Sequence, residues 1–131
     1  MAYLIDTQIL IWSIVSPEKL SNPTRTILQN ERIFVSQVSL LEIVIKQKVG
    51  RLPALTLSVD ELERQLLLDN FQILFLKNVH FSAYNSIPLL ANHKDPFDRL
   101  ILATALSENL PVISADENFR LYVPQIRLIE N

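Results

Sequence analysis

The sequence predicts an α/β domain with a mostly parallel sheet of about five strands flanked by helices, an α/β/α sandwich. Two observations carry this. Short apolar runs of strand length alternate with longer stretches of helical period along the whole chain, the order that builds parallel sheets through right-handed crossovers. Hydrophobic residues make up 49% of the 131 residues and mean hydropathy is +0.22, enough for one substantial core in a single domain over residues 1–131.

The elements follow in order. Ala2–Ile5 is an apolar run closed by Asp6, and a helix near Gln8–Val15 follows. Asn22 then Pro23 reads as an N-cap and first helical position, opening a helix over Pro23–Asn30. Ile33–Val35 is the second strand. The helix Val38–Val49 ends at Gly50, where a left-handed stop is expected. Ser58 and Glu61 form a capping box for Val59–Asp69. Gln72–Leu76 is the third strand and Val79–Ser86 a short helix. Asp95-Pro96 repeats the cap-then-proline pattern before a helix over Pro96–Ser107, and Val112–Ala115 and Ile126–Ile129 complete the strands. There is no repeat, low-complexity tract or linker.

Composition excludes much chemistry. With no cysteine there are no disulfides, thiolate nucleophiles or cysteine zinc sites, and the two histidines, His80 and His93, are too few for a zinc triad. One glycine cannot build a dinucleotide-binding turn or a P-loop. No apolar run approaches the roughly 18 residues of a membrane span, and the N-terminus lacks the basic region of a signal peptide, so a cytoplasmic protein without membrane contact is expected. A net charge of −2 gives no global nucleic-acid signal, and any such binding needs a local basic patch, for which Lys46, Lys48, Arg51 and Lys94 are available.

Carboxylates are what remains, and four are conspicuous. Asp6 and Asp116 stand at the carboxyl ends of predicted strands, where sites of α/β sheets gather. Glu42 falls within the apolar stripe Val38, Leu41, Ile45 and Val49, although Leu40, Ile43 and Val44 offer a second face to the sheet. Asp98 shares a stripe with Ile101, Leu102 and Ala105. Each has an ordinary reading too: Asp6 as a helix cap, Glu42 paired with Lys46, Asp98 as a first-turn acid, Asp116 in a turn. Asp95 fits an N-cap and is read as structural. Two carboxylates about 4 Å apart repel by about 4 kcal/mol at an effective dielectric near 20, so converging four calls for a cation. Mg²⁺ or Mn²⁺ prefers such oxygen ligands, and ions of this kind suit phosphodiester cleavage.

Four blocks resemble a known family. Leu-Ile-Asp-Thr-Gln-Ile-Leu-Ile-Trp at 4–12, Ser36-Gln-Val-Ser-Leu-Leu-Glu42-Ile with Lys46 and Gly50-Arg-Leu, His93-Lys-Asp-Pro-Phe-Asp98-Arg99-Leu and Val112-Ile-Ser-Ala-Asp116-Glu-Asn-Phe119 resemble, in order and spacing, the acidic blocks of PIN-domain ribonucleases, especially VapC-type toxins. The resemblance implies a metal-dependent endoribonuclease, the toxin of a toxin–antitoxin pair, with Asp6, Glu42, Asp98 and Asp116 as catalytic acids holding Mg²⁺ or Mn²⁺. It implies a cognate antitoxin, an RNA substrate and a homodimer. Thr7 and Ser39 are candidate supports for the carboxylates, Asp95 a cap or neighbour of the site, and Arg99 a phosphate or acid contact set against a solvated arginine. Ser36 could cap the Glu42 helix, while Trp12, Phe97 and Phe119 read as core and His93 as a loop residue rather than one at the edge of the site. Two positions depart from the branch: Gln8, where histidine is common, and Leu41, where tryptophan is common. They leave open an alternative, a PIN-like protein- or RNA-binding module with weak or lost catalysis. A receiver-type phosphoacceptor would need an acidic pair after the first strand, and Asp6 is followed by Thr7.

Overall fold

A computed structural model describes all 131 residues. Five strands, β1 (Ala2–Ile5), β2 (Arg32–Ser36), β3 (Phe71–Leu74), β4 (Val112–Ser114) and β5 (Leu128–Glu130), form one sheet in the order β3-β2-β1-β4-β5, every neighbouring pair parallel. Six α-helices connect them: α1 (Thr7–Val15), α2 (Asn22–Asn30), α3 (Gln37–Lys48), α4 (Val59–Leu68), α5 (Asn78–Tyr84) and α6 (Pro96–Glu108). Two 3-10 turns, Pro17–Lys19 and Glu117–Tyr122, were not predicted by the periodicity, since neither is long enough to show a period.

Alternation along the strands explains the layers. Successive strand side chains point to opposite faces. Ile5, Ile33, Val35 and Ile113 pack in one core with residues of α1, α3 and α4, whereas Leu4 and Val112 pack in a second core with Ile101, Leu102 and Ala105 of α6. Both faces of the sheet are therefore covered, as the near-continuous apolar strands require. No helix is long and apolar enough to cross a membrane.

The caps hold with one correction. Ser21, not Asn22, caps α2, its hydroxyl accepting from Thr24 N at 3.2 Å, so Asn22 and Pro23 become the first two helical residues. Proline fits there because early helical N–H groups lack partners anyway. The Ser58–Glu61 box is complete, with bonds of 3.2 and 3.0 Å. Gly50 has φ +74°, and Arg51 N reaches Lys46 O at 2.9 Å, closing α3 as expected of a left-handed stop.

Candidate active site

β1 is central. From it the chain steps outward to β2 and β3, then crosses to β4 and β5 on the other side. The strand order reverses between β1 and β4, which opens a crevice beyond their carboxyl ends, the usual position of a site in an open α/β sheet. Asp6 directly follows β1, and Asp116 lies two residues beyond β4. Helix α3 brings Glu42 and the first turn of α6 brings Asp98. These four carboxylates line one cleft of about 340 Å³ together with Thr7, Gln8, Trp12, Lys46 and Asp95.

Each acid is held from behind. Asp6 is 3% exposed; its Oδ1 accepts from Ile9 N at 2.8 Å, capping α1, and its Oδ2 accepts from the Ser114 hydroxyl. The capping and cleft positions are thus occupied by one side chain. Ser114 Oγ in turn accepts from Asp116 N at 2.9 Å, tying the two strand-end acids together. Thr7 Oγ1 donates to Glu42 Oε1 at 2.8 Å and lies 2.8 Å from Ser39 Oγ, while Lys46 Nζ stands 3.2 Å from Glu42 Oε2. Asp116 accepts from Asn118 N at 2.9 Å, capping the 3-10 turn. Asp95 caps α6, accepting from Phe97 N and Asp98 N at 2.8 and 3.2 Å.

The helix carrying Glu42 turns otherwise than expected. Of the stripe Val38, Leu41, Ile45 and Val49, only Val38 is buried; the others are 52%, 41% and 60% exposed. The second face divides, with Leu40 and Ile43 buried and Val44 at the surface. The inward face centres on Ser39, Glu42 and Ile43, so Glu42 is buried in a polar seam and not in the predicted apolar stripe. Arg99 is also placed differently. It is buried away from the cleft, its guanidinium donating to Tyr84 Oη at 3.1 Å, Ile87 O at 2.9 Å and Pro88 O. One residue beyond Asp98 is a rotation of about 100° on a helix, which turns Arg99 toward α5. Of the basic residues available for a patch, Lys46 alone lines the cleft. Gln8 lines it too, whereas Leu41 lies on the outer face of α3.

Sequence reasoning missed Ser114 and Tyr122, and preferred a loop reading over a site-edge one for His93. His93 is buried, its Nε2 3.1 Å from Asp98 Oδ2 and its Nδ1 2.6 Å from Tyr122 Oη. Donor atoms of His93, Asp98 and Asp116 all lie within 4.8 Å of one another. A serine closing an otherwise apolar strand was a visible signal for Ser114. For His93 the signal was its place at the head of the block His93-Lys-Asp-Pro-Phe-Asp98, and Tyr122 carried none.

The electrostatics follow from burial and crowding. Asp6 is pushed up to about 7, mainly by desolvation, with Asp98 and Asp116 adding to it against the bonds from Ser114 and Ile9. Asp98 is pushed up to about 6 by desolvation and then by Asp95, Glu42 and Asp116, while the His93 bond pulls the other way. The donor set suits a hard divalent ion: it is predominantly carboxylate oxygen, converges on one cleft, and carries mutual repulsion that a cation relieves.

Residues 3–123 match the PIN domain model. The chain belongs to the PIN-domain family. No curated protein matches it. Its fold is similar to that of VapBC from Salmonella typhimurium solved bound to DNA (17% identity, TM-score 0.68) and VapBC-1 from nontypeable Haemophilus influenzae (20%, 0.67), each over 99% of this chain and 98% of the solved one. It is also similar to a toxin–antitoxin complex from Klebsiella pneumoniae (20%, 0.61), over 97% and 95% of the two chains.

Proposed function

We propose that this PIN-domain chain is a metal-dependent endoribonuclease, the VapC-type toxin of a toxin–antitoxin pair. The observation that carries the reading is the convergence of Asp6, Glu42, Asp98 and Asp116, from four separate elements, on one cleft at the strand-order switch. Membership of the PIN family, generally nucleases, supports hydrolysis, and the likeness to solved VapBC complexes supports an antitoxin partner. In this reading the chain acts as a homodimer held in check by its cognate antitoxin.

The four acids would hold Mg²⁺ or Mn²⁺, which supplies a water of lowered pKa and polarises the scissile phosphoryl group. The chain's own residues prepare the site. Thr7 and Ser39 fix the Glu42 carboxylate, and Ser114 fixes that of Asp6. Asp95 keeps the first turn of α6 capped, so Asp98 keeps its place. Lys46, paired with Glu42, offers a positive charge to an RNA phosphate at the rim of an otherwise acidic cleft.

Protein freed of antitoxin is expected to cleave RNA with Mg²⁺ or Mn²⁺, and to stop with EDTA or on Asp6→Asn substitution. Cleavage that persists without metal and survives that substitution would sink the mechanism. A second reading rests on α3, where Leu41 and Ile45, with Val49 at its C-terminal cap, stay exposed as apolar side chains open to a partner. Calorimetry showing an intact fold that binds no divalent ion would favour a binding module over the enzyme.

A further inference from the structure

His93 stands outside the four-acid set, yet it is among the most constrained side chains of the site. It is 5% exposed and both ring nitrogens are engaged, Nε2 with Asp98 Oδ2 and Nδ1 with the Tyr122 hydroxyl. An ionised carboxylate only accepts, so Nε2 carries the hydrogen. The neutral ring then leaves Nδ1 as an acceptor, and Tyr122 must be its donor. The ring itself is clamped, set edge-on to Tyr122 at 5.5 Å and beside Phe119 at 6.0 Å between centroids. Both aromatics are buried and belong to the 3-10 turn that Asp116 caps. The chain of bonds from Tyr122 through His93 to Asp98 therefore joins the turn behind Asp116 to the start of α6.

We propose that His93, locked by Tyr122 as the Nε2–H tautomer, is a positioning residue that sets the orientation of Asp98 and its spacing from Asp116. The consequence for metal binding rests on the nuclease reading, in which these two acids hold the ion. Two neighbouring carboxylates repel, and an aspartate on the first turn of a helix is free to swing outward unless something holds it. The imidazole donor supplies that hold. Hydrogen-bond partners behind metal ligands are commonly worth about 10–100-fold in metal affinity. Direct ligation by His93 would demand the opposite tautomer, because Nε2 would have to give up its hydrogen to reach the ion.

Long-range proton–nitrogen NMR at about pH 8, above the ordinary imidazole range, reads the tautomer. The Nε2–H form is expected both without metal and with Mg²⁺, and an Nδ1–H form in either state overturns the relay. Calorimetry with MnCl₂ tests its consequence. Tyr122→Phe, which keeps the ring and removes the hydroxyl, is expected to weaken Mn²⁺ binding about 10-fold, and His93→Leu at least as much. His93→Gln, whose amide can donate to Asp98 and accept from Tyr122, should restore most of the affinity. Thermal melts establish that each variant is folded; folded variants that all bind Mn²⁺ as the wild type does overturn the proposal. If the wild type binds no Mn²⁺, the nuclease reading falls, and the relay is decided by the tautomer alone.

Discussion

Asp6 shows how far burial and crowding strain one side chain. An unfolded aspartate ionises near 3.8, the native Asp6 near 7. Below about pH 4 both states are protonated and the group favours neither. Between there and about pH 7 the unfolded chain gives up its proton first, so native stability falls as pH rises, and above about pH 7 the whole penalty is present. Asp6→Asn is therefore expected to stabilise the metal-free protein at about pH 8, on the order of 3 kcal/mol after a weakened Ser114 bond is subtracted, with little effect near pH 4. Urea unfolding at both pH values measures it, and equal effects at both would refute the burial account. Lys46 makes the companion case: its ion pair occupies Glu42 Oε2. Lys46→Met should tighten Mn²⁺ binding several-fold by freeing that oxygen, while weakening the affinity for RNA of an inactive Asp98→Asn background. Calorimetry and filter binding would show the opposed signs, and parallel changes would count against a dual role. The four acids were legible in the sequence because carboxylates beside apolar runs need a reason. Arg99 was not, since its neighbours Tyr84, Ile87 and Pro88 come from a segment whose path no local pattern predicts.

Helix α3 shows where periodicity stops being informative. Apolar residues lie nearly all round it, so two stripes competed and neither proved to be the inward face. What turns the helix is polar: Thr7 holds Ser39 and Glu42 against α1, and Ile43 follows them into the core. Elements with a local chemical signal were read well. The capping box of α4, the glycine stop after α3 and the aspartate cap of α6 each satisfy backbone groups within a few residues, so sequence alone exposes them. The orientation of α3 gives a direct contrast. Ile43→Ala should cost about 2–4 kcal/mol, since the side chain is wholly buried among core residues, while Ile45→Ala should cost about 1 kcal/mol or less. Chemical denaturation of the two variants measures the difference. Equal losses would mean that α3 presents another face to the sheet or that Ile45 is covered by a partner.

At the scale of the molecule, the site exists because β1 and β4 are neighbours. Strand-end positions for Asp6 and Asp116 could be read from the sequence, but adjacency could not, because 106 residues lie between Ile5 and Val112 and strand order depends on contacts no local pattern records. Once the sheet is assembled, four elements meet at one cleft, and a bound cation would clamp them simultaneously. Ligand bound only by the native state stabilises it by about 2.7 kcal/mol at 100 times its dissociation constant. Mn²⁺ is thus expected to raise the melting temperature of the wild type by several degrees at about pH 8, reversibly with EDTA. The same shift should shrink or vanish in Glu42→Gln and in Asp98→Asn, although these residues sit on different helices, because each contributes to one shared ion. Scanning calorimetry with and without MnCl₂ provides the comparison. A melting temperature indifferent to Mn²⁺ in the wild type would leave the converging acids without the cation their electrostatics call for, and would turn the reading toward a binding scaffold.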